Sequence, residues 1–332
     1  MHRILILTLI ACLVPFLASA DTLSVYASLT GKTVLMPSAL PAVPDSVVSD
    51  LPSDPTEAIA KIENALAEKG ITVVQDGPHF VRVVRNEGRD ALTNAPLRGA
   101  ELAASRGSET MPAGMIDFVN ADLNQVLSIY AMMSQRTILR STILPASTIR
   151  LKTQGALSKE EVLYAFATAL ALNGICLVDD GTSFVQIVPV SRRDQVKTRA
   201  PKPEPGAKLF DPKKVPSVGV LPSGRPLTEM ERLEQEFDRL RKSFYDFMHL
   251  PDPSRRPASR LLGLYADLAG KTPVASQNLD GTGIWFHVET PLTKSELLYA
   301  IETTFLLNNL AIIPVDEHKI RVGHISELRK GD

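Results

Sequence analysis

Cysteine is nearly absent: Cys12 and Cys176 are the only two in 332 residues. If the first twenty residues are removed as a leader, one thiol is left, so no disulfide can form within the chain and its stability must come from packing. Cys176 lies in the apolar run 175–178, which suits a buried structural thiol better than a reactive one. Charge of one sign is also lacking, with 36 Lys and Arg against 37 Asp and Glu. No global field therefore draws the chain to nucleic acid or to an anionic membrane, and binding should be local and shape-driven. The six histidines, at 2, 79, 249, 287, 318 and 324, never fall at ligand spacing on one helix, so no metal is expected. There is no G-x-S-x-G elbow and no cysteine paired with a nearby histidine. Gly31-Lys32-Thr33 and Gly270-Lys271-Thr272 lack the earlier glycine of a phosphate loop and follow helices where a strand is needed; they read as helix-to-strand turns. No catalytic residue, no cofactor and no enzyme are expected.

What the chain does have is internal repetition. The pattern Y-A-x-(L/M)-x-x-(K/R)-T occurs at Tyr26–Thr33, Tyr130–Thr137 and Tyr265–Thr272, at offsets of 104 and then 135 residues. Asp54, Ser158 and Thr293 keep those offsets, each followed three residues later by Glu57, Glu161 or Glu296, which reads as a helix N-cap with its reciprocal glutamate. Gly70, Gly174 and Asn309 keep them again and suit the left-handed backbone that closes a helix.

The fold class expected is α/β of the α+β kind: three small two-helix modules with mixed sheets, tethered by linkers, plus one amphipathic helix. Residues 1–20 have an apolar run, 4–17, and small residues at 18 and 20, as in a cleavable secretory signal. A retained anchor and lipidation at Cys12 are the alternatives. Residues 22–85 form a degenerate first module, whose middle strand (Asp45, Val47, Ser49) is weakly specified; 86–115 read as a linker. Residues 116–190 form the complete module, in the order strand, helix, strand, strand, helix, strand, strand. Residues 191–227, with seven prolines, read as an extended tether. In 228–250, Met230, Leu233, Phe237, Leu240, Phe244 and Phe247 recur at spacings of 3 and 4 and form one apolar seam. Fewer than three heptads need a partner surface; the third module and another protein are the two candidates. Residues 260–325 form the third module. Tyr26, Tyr130 and Tyr265 should pack their rings inward with the hydroxyls at the surface.

Modules one and three lack the first strand of the central template: the matching positions are Cys12 and Val14, and Pro251 and Pro253. Each is expected to leave a sheet edge that is either covered locally or accepts a partner strand; an assembly surface, self-association included, is the reading adopted.

The central module carries F-x-x-x-D-L at Phe118–Leu123, S-Q-R-T-I-L at Ser134–Leu139, I-R-L-K-T at Ile149–Thr153 and S-K-E-E at Ser158–Glu161, followed by the run Leu170–Ile175. This resembles the first periplasmic N-terminal domain of outer-membrane secretins of the type II secretion pathway, a module shared with the short N-terminal domain of some TonB-dependent receptors. The resemblance covers the central copy well, the third moderately and the first loosely. It implies an exported protein in the periplasm, at most peripheral to the outer membrane, with a secretin or another envelope secretion protein as partner. It carries no active-site residue. A secretin continues into a long membrane barrel; after the third module this chain stops at Asp332, so it is not expected to form the pore. A free-standing periplasmic scaffold and an envelope hydrolase are the alternatives to a secretion adaptor.

Overall fold

The computed structural model describes residues 21–41, 46–86, 97–105, 107, 109–214, 228–249, 256–274, 279 and 283–328. The expected signal peptide, Cys12, Pro251 and Pro253 lie outside them.

Along the chain the elements are α1 (Thr22–Thr30), β1 (Thr33–Leu35), α2 (Ser46–Ser49), α3 (Pro55–Glu68), β2 (Ile71–Asp76), β3 (Phe80–Arg85), α4 (Gly99–Ala104), β4 (Asp117–Ala121), α5 (Leu123–Ser134), β5 (Thr137–Arg140), β6 (Ile149–Lys152) and α6 (Lys159–Leu172). There follow β7 (Ile175–Asp180), β8 (Phe184–Pro189), a 3-10 turn (Val190–Gln195), β9 (Leu209–Phe210), α7 (Glu229–Met248), β10 (Arg256–Pro257), α8 (Ala258–Ala269), β11 (Thr272–Pro273), β12 (Gly283–Ile284), β13 (Leu292–Thr293), α9 (Lys294–Leu307), β14 (Leu310–Pro314), β15 (Lys319–His324) and α10 (Ile325–Leu328). Helices with small mixed sheets make this an α/β protein.

The repeat is visible in local geometry. Ser158 and Thr293 accept from the backbone N–H of Glu161 and Glu296, whose carboxylates reach back to close full capping boxes. Asp54 accepts from Thr56 and Glu57, with Pro55 at the first helical position. After these three helices Gly70, Gly174 and Asn309 take φ of 70°, 77° and 59°, the left-handed turn that lets the chain reverse into a hairpin. Each copy then builds one three-stranded sheet in which the first strand pairs parallel to the last and the hairpin is antiparallel: β1-β3-β2, β5-β8-β7 and β11-β15-β14.

The structural units are out of phase with the sequence copies. One unit contains residues 1–126 and 146–174; the other contains 127–145 and 175–332. The first unit therefore joins copy one to β4, β6 and α6 of copy two. Its apolar centre includes Leu23, Tyr26, Ile62, Leu66 and Val83. In the second unit, Leu139, Cys176, Phe184 and Val188 of copy two share a cluster with Leu261, Ile301, Phe305 and Ile320 of copy three. Residues 116–190, expected as a self-contained module, are thus divided. The reason lies in the faces of the second helices: α6 packs against β1, β6 and α4, and α9 packs against β5 as well as β14.

Other expectations are corrected. The weak strand around Val47 is a single helical turn, α2. The described parts of both linkers carry secondary structure. In 86–115, α4 is helical and Met111 bridges Leu157; in 191–227, β9 pairs with β13 and Phe210 is fully buried. The open edge expected in the third copy is occupied: Arg256 and Pro257 pair with Ile284 and Gly283, in the register by which Ala121 pairs with Ile149. The matching positions of the first copy, Cys12 and Val14, lie outside the described residues.

Candidate functional site

Two features outside the cores bear on function. The first is a joint between consecutive copies that occurs once in each unit. In the first unit Asp76 ends β2 with its carboxylate buried. Arg82, on β3, donates from Nε to Asp76 Oδ2 at 2.7 Å, and the two side chains are 0 % and 1 % exposed. Tyr164, on α6, donates its hydroxyl to the same Oδ2 at 2.5 Å and accepts from the Arg82 guanidinium. The guanidinium also lies 5.6 Å from the centre of the Tyr164 ring. The chain after the hairpin is held by the same pair: Gly99 N–H donates to Asp76 Oδ1 at 2.9 Å and Arg98 N–H to the Tyr164 hydroxyl at 3.0 Å. A side chain at Gly99 would place Cβ 2.0 Å from the Asp76 carbonyl oxygen, so only glycine fits this approach.

In the second unit the same joint is built from Asp180, Gln186 and Tyr299. Gln186 Nε2 donates to Asp180 Oδ2 at 2.6 Å and Tyr299 donates to it at 2.5 Å. Ala200 N–H meets Asp180 Oδ1 at 3.0 Å, and Arg199 N–H meets the Tyr299 hydroxyl at 3.3 Å. Burial, followed by the bond to Asp180, pushes the Tyr299 phenol up to about 12; burial first and Asp76 second push Tyr164 upward as well. The rims also match. Thr33 and Thr137 hydroxyls accept from Gln154 and Glu289 N–H, and Asn173 and Asn308 side-chain oxygens accept from Ser38 and Thr142 N–H. His79 and Ser183 contact the capping-box carboxylates of Glu161 and Glu296 at 2.6 and 2.7 Å.

The joint's aspartate and tyrosine are present only where a joint forms. Copy one carries Ala60 and Lys69 where α6 has Tyr164 and Asn173, and both are exposed. Copy three carries Val315, 51 % exposed, where Asp180 stands in copy two. It also carries Pro273 where Ile138 bridges His287 in the second unit. Proline has no N–H to offer a further strand, so this edge is closed to strand addition.

The second feature is the seam predicted on α7. The helix opens on Thr228 and Glu231 in a full capping box. Leu240, Phe244 and Phe247 are buried: Phe244 meets the Phe210 ring of β9 edge-on at 5.9 Å, and Phe247 meets Phe286 of the third copy at 6.0 Å. Phe237 is partly buried, 5.1 Å from the Phe210 ring. Met230 and Leu233 continue the line but are 66 % and 54 % exposed. The structure thus divides the six seam residues: the C-terminal half belongs to the fold and the N-terminal two turns do not.

The remaining sequence candidates fall into place. Tyr26 and Tyr265 donate to Glu63 and Glu302 at 2.6 and 2.5 Å, and Tyr26 is buried to its hydroxyl, contrary to the expected surface position. Their phenols are pushed upward by burial and then by those carboxylates. Lys32 donates to Gln75 and to the Gly77 carbonyl, and Arg136 to Asp179 and Gly181, so these cations tie a helix-to-strand turn to the hairpin. Cys176 is buried, and burial raises its thiol. Among the described residues no group of three or more His, Cys, Asp or Glu side chains is placed to hold a metal ion. No helix among them is long and apolar enough to cross a membrane. Comparison with protein-family models and with curated proteins returns no match to the chain, so the joints and the half-covered seam are what a functional reading has to rest on.

Proposed function

We propose that the chain is a non-enzymatic adaptor acting through protein contacts, with α7 as its contact element. The observation that carries this reading is the exposure of Met230 and Leu233 on the same helical stripe that buries Leu240, Phe244 and Phe247. An apolar stripe that outruns the core beneath it keeps a hydrophobic surface in water unless something covers it. The setting follows from the resemblance of the central copy to secretin N-terminal domains and from the leader-like first twenty residues. On that basis the adaptor works in the periplasm, exported by its signal, within a type II secretion or related envelope complex.

The test is crosslinking in intact envelopes of the source bacterium, followed by purification of the chain. Recovery of a secretin supports the adaptor. Crosslinks confined to proteins unconnected with secretion would replace it with a free-standing scaffold. Turnover of peptidoglycan or peptide by the purified chain, abolished by changing a single polar residue, would replace it with a hydrolase.

A further inference from the structure

We infer that the exposed two turns of α7 receive an amphipathic helix whose apolar stripe is flanked by lysine or arginine. This deepens the adaptor reading, on which it rests, by naming the chemistry of the partner.

The geometry fixes the kind of ligand. Met230, Leu233 and Phe237 stand at i, i+3 and i+7, the anchor spacing by which two helices interdigitate. Leu209 of β9, also exposed, lies beside Phe237 and Pro291 on a cleft of about 530 Å³ whose other lining side chains are charged, Lys214, Glu234 and Arg241 among them, so the apolar surface reaches from the helix only as far as Leu209. On that side it ends at Lys208, whose ammonium sits 5.0 Å from the centre of the Phe237 ring.

Charge then selects among occupants. With Met230 and Phe237 at the first and Leu233 at the fourth position of a heptad, the flanking positions are Glu229, Glu234 and Glu236, all exposed. Between Glu229 and Glu236 there are four glutamates and a single arginine. A second copy of this helix would set Glu229 against Glu234 when parallel, or glutamate against glutamate when antiparallel, so self-pairing is repelled in both directions. Lysine or arginine at the facing positions of another helix removes that repulsion and replaces it with attraction.

The probe is a synthetic helical peptide of about three heptads, with leucine at the two core positions and lysine at the flanking ones, compared with a twin carrying glutamate there. Binding of each labelled peptide to the full chain is followed by anisotropy. The expected result is binding of the basic peptide, weakened by added salt, with the acidic twin bound about tenfold or more less tightly. Leu233→Asp should reduce binding about tenfold or more, while Leu306→Asp, at an exposed leucine elsewhere, should leave it unchanged. The chain carrying Glu229→Lys, Glu234→Lys and Glu236→Lys should exchange its preference and take the acidic twin.

Equal binding of both peptides, binding unaffected by Leu233→Asp, no binding of either, or a chain that self-associates through this stripe would each overturn the inference. The envelope crosslinking test is independent. A secretin recovered with the charge-swapped chain would leave the adaptor standing without this surface. Peptide selectivity without secretin would keep the surface and remove its setting.

Discussion

Tyr299 donates its hydroxyl to Asp180 at 2.5 Å, joining a helix of the third copy to a hairpin of the second. Tyr164 and Asp76 make the same contact one copy earlier. The two joints differ in one buried side chain, Arg82 against Gln186, and that difference provides a built-in control.

Arg82→Gln should be the mildest change at the first joint, because glutamine already serves Asp180 in the second. Asp76→Ala should cost about 3–5 kcal/mol, since it strands a buried guanidinium. Urea unfolding of the full chain and of both variants checks this; equal losses would show that the arginine charge is not what Asp76 is there to meet.

Gly99→Ala should destabilise the first unit, because the added methyl would enter the Asp76 backbone. Gly107→Ala meets nothing within 4 Å and is the control, expected within about 0.5 kcal/mol of the native chain. Limited proteolysis, with fragment mapping around residues 97–105, reads the difference.

Alkali should loosen the second joint. A tyrosine titrates near about 10 when unfolded, while Tyr299 is pushed up to about 12 by burial and by Asp180. The folded chain thus holds this proton more tightly than the unfolded one. The stability linked to it is complete below pH about 10 and is lost as pH rises to about 12. In a thermal-unfolding series across that window, Tyr299→Phe should show a shallower decline than the native chain. An identical decline would place the titrating groups elsewhere.

Along α7 the two halves should separate cleanly. Phe244→Ala should cost about 3–5 kcal/mol, as a buried aromatic does. Met230→Ala and Leu233→Ala should stay within about 0.5 kcal/mol of the native chain. A substantial loss at Met230 would mean that those turns are covered within the chain itself.

Pro273→Val should restore an outward N–H on the edge of the third sheet. The variant is expected to aggregate faster than the native chain at equal concentration, followed by light scattering, because a proline that blunts an edge has been removed. Unchanged solubility would mean that the edge is protected by something other than Pro273.

The sequence showed the local elements well because their signals are local. The capping pairs at Ser158 and Thr293, the closing residues Gly70, Gly174 and Asn309, and the hairpins that follow depend on residues a few positions apart. The phase of the units was hidden because it depends on pairs 82 to 166 residues apart, such as His79 with Glu161 or Thr142 with Asn308. A usable signal was nonetheless there. The aspartate recurs in copies one and two only, and the tyrosine in copies two and three only. A residue that fits within its own copy tends to recur in every copy; one that serves the next copy is missing from the last, and its counterpart from the first. The seam on α7 was legible in full, whereas its division at Phe237 was not, because helical spacing does not tell how far the supporting surface extends.

The offset between what was duplicated and what folds has a consequence for delivery. A chain that arrives from its N-terminus presents the whole of copy one while α6 is still to come. Until Gly174 has emerged, Asp76 and Arg82 have no tyrosine above them and the outer side of β1 has no neighbour. The first unit can therefore be completed only by a segment of the second copy, which ties the maturation of copy one to the arrival of the next.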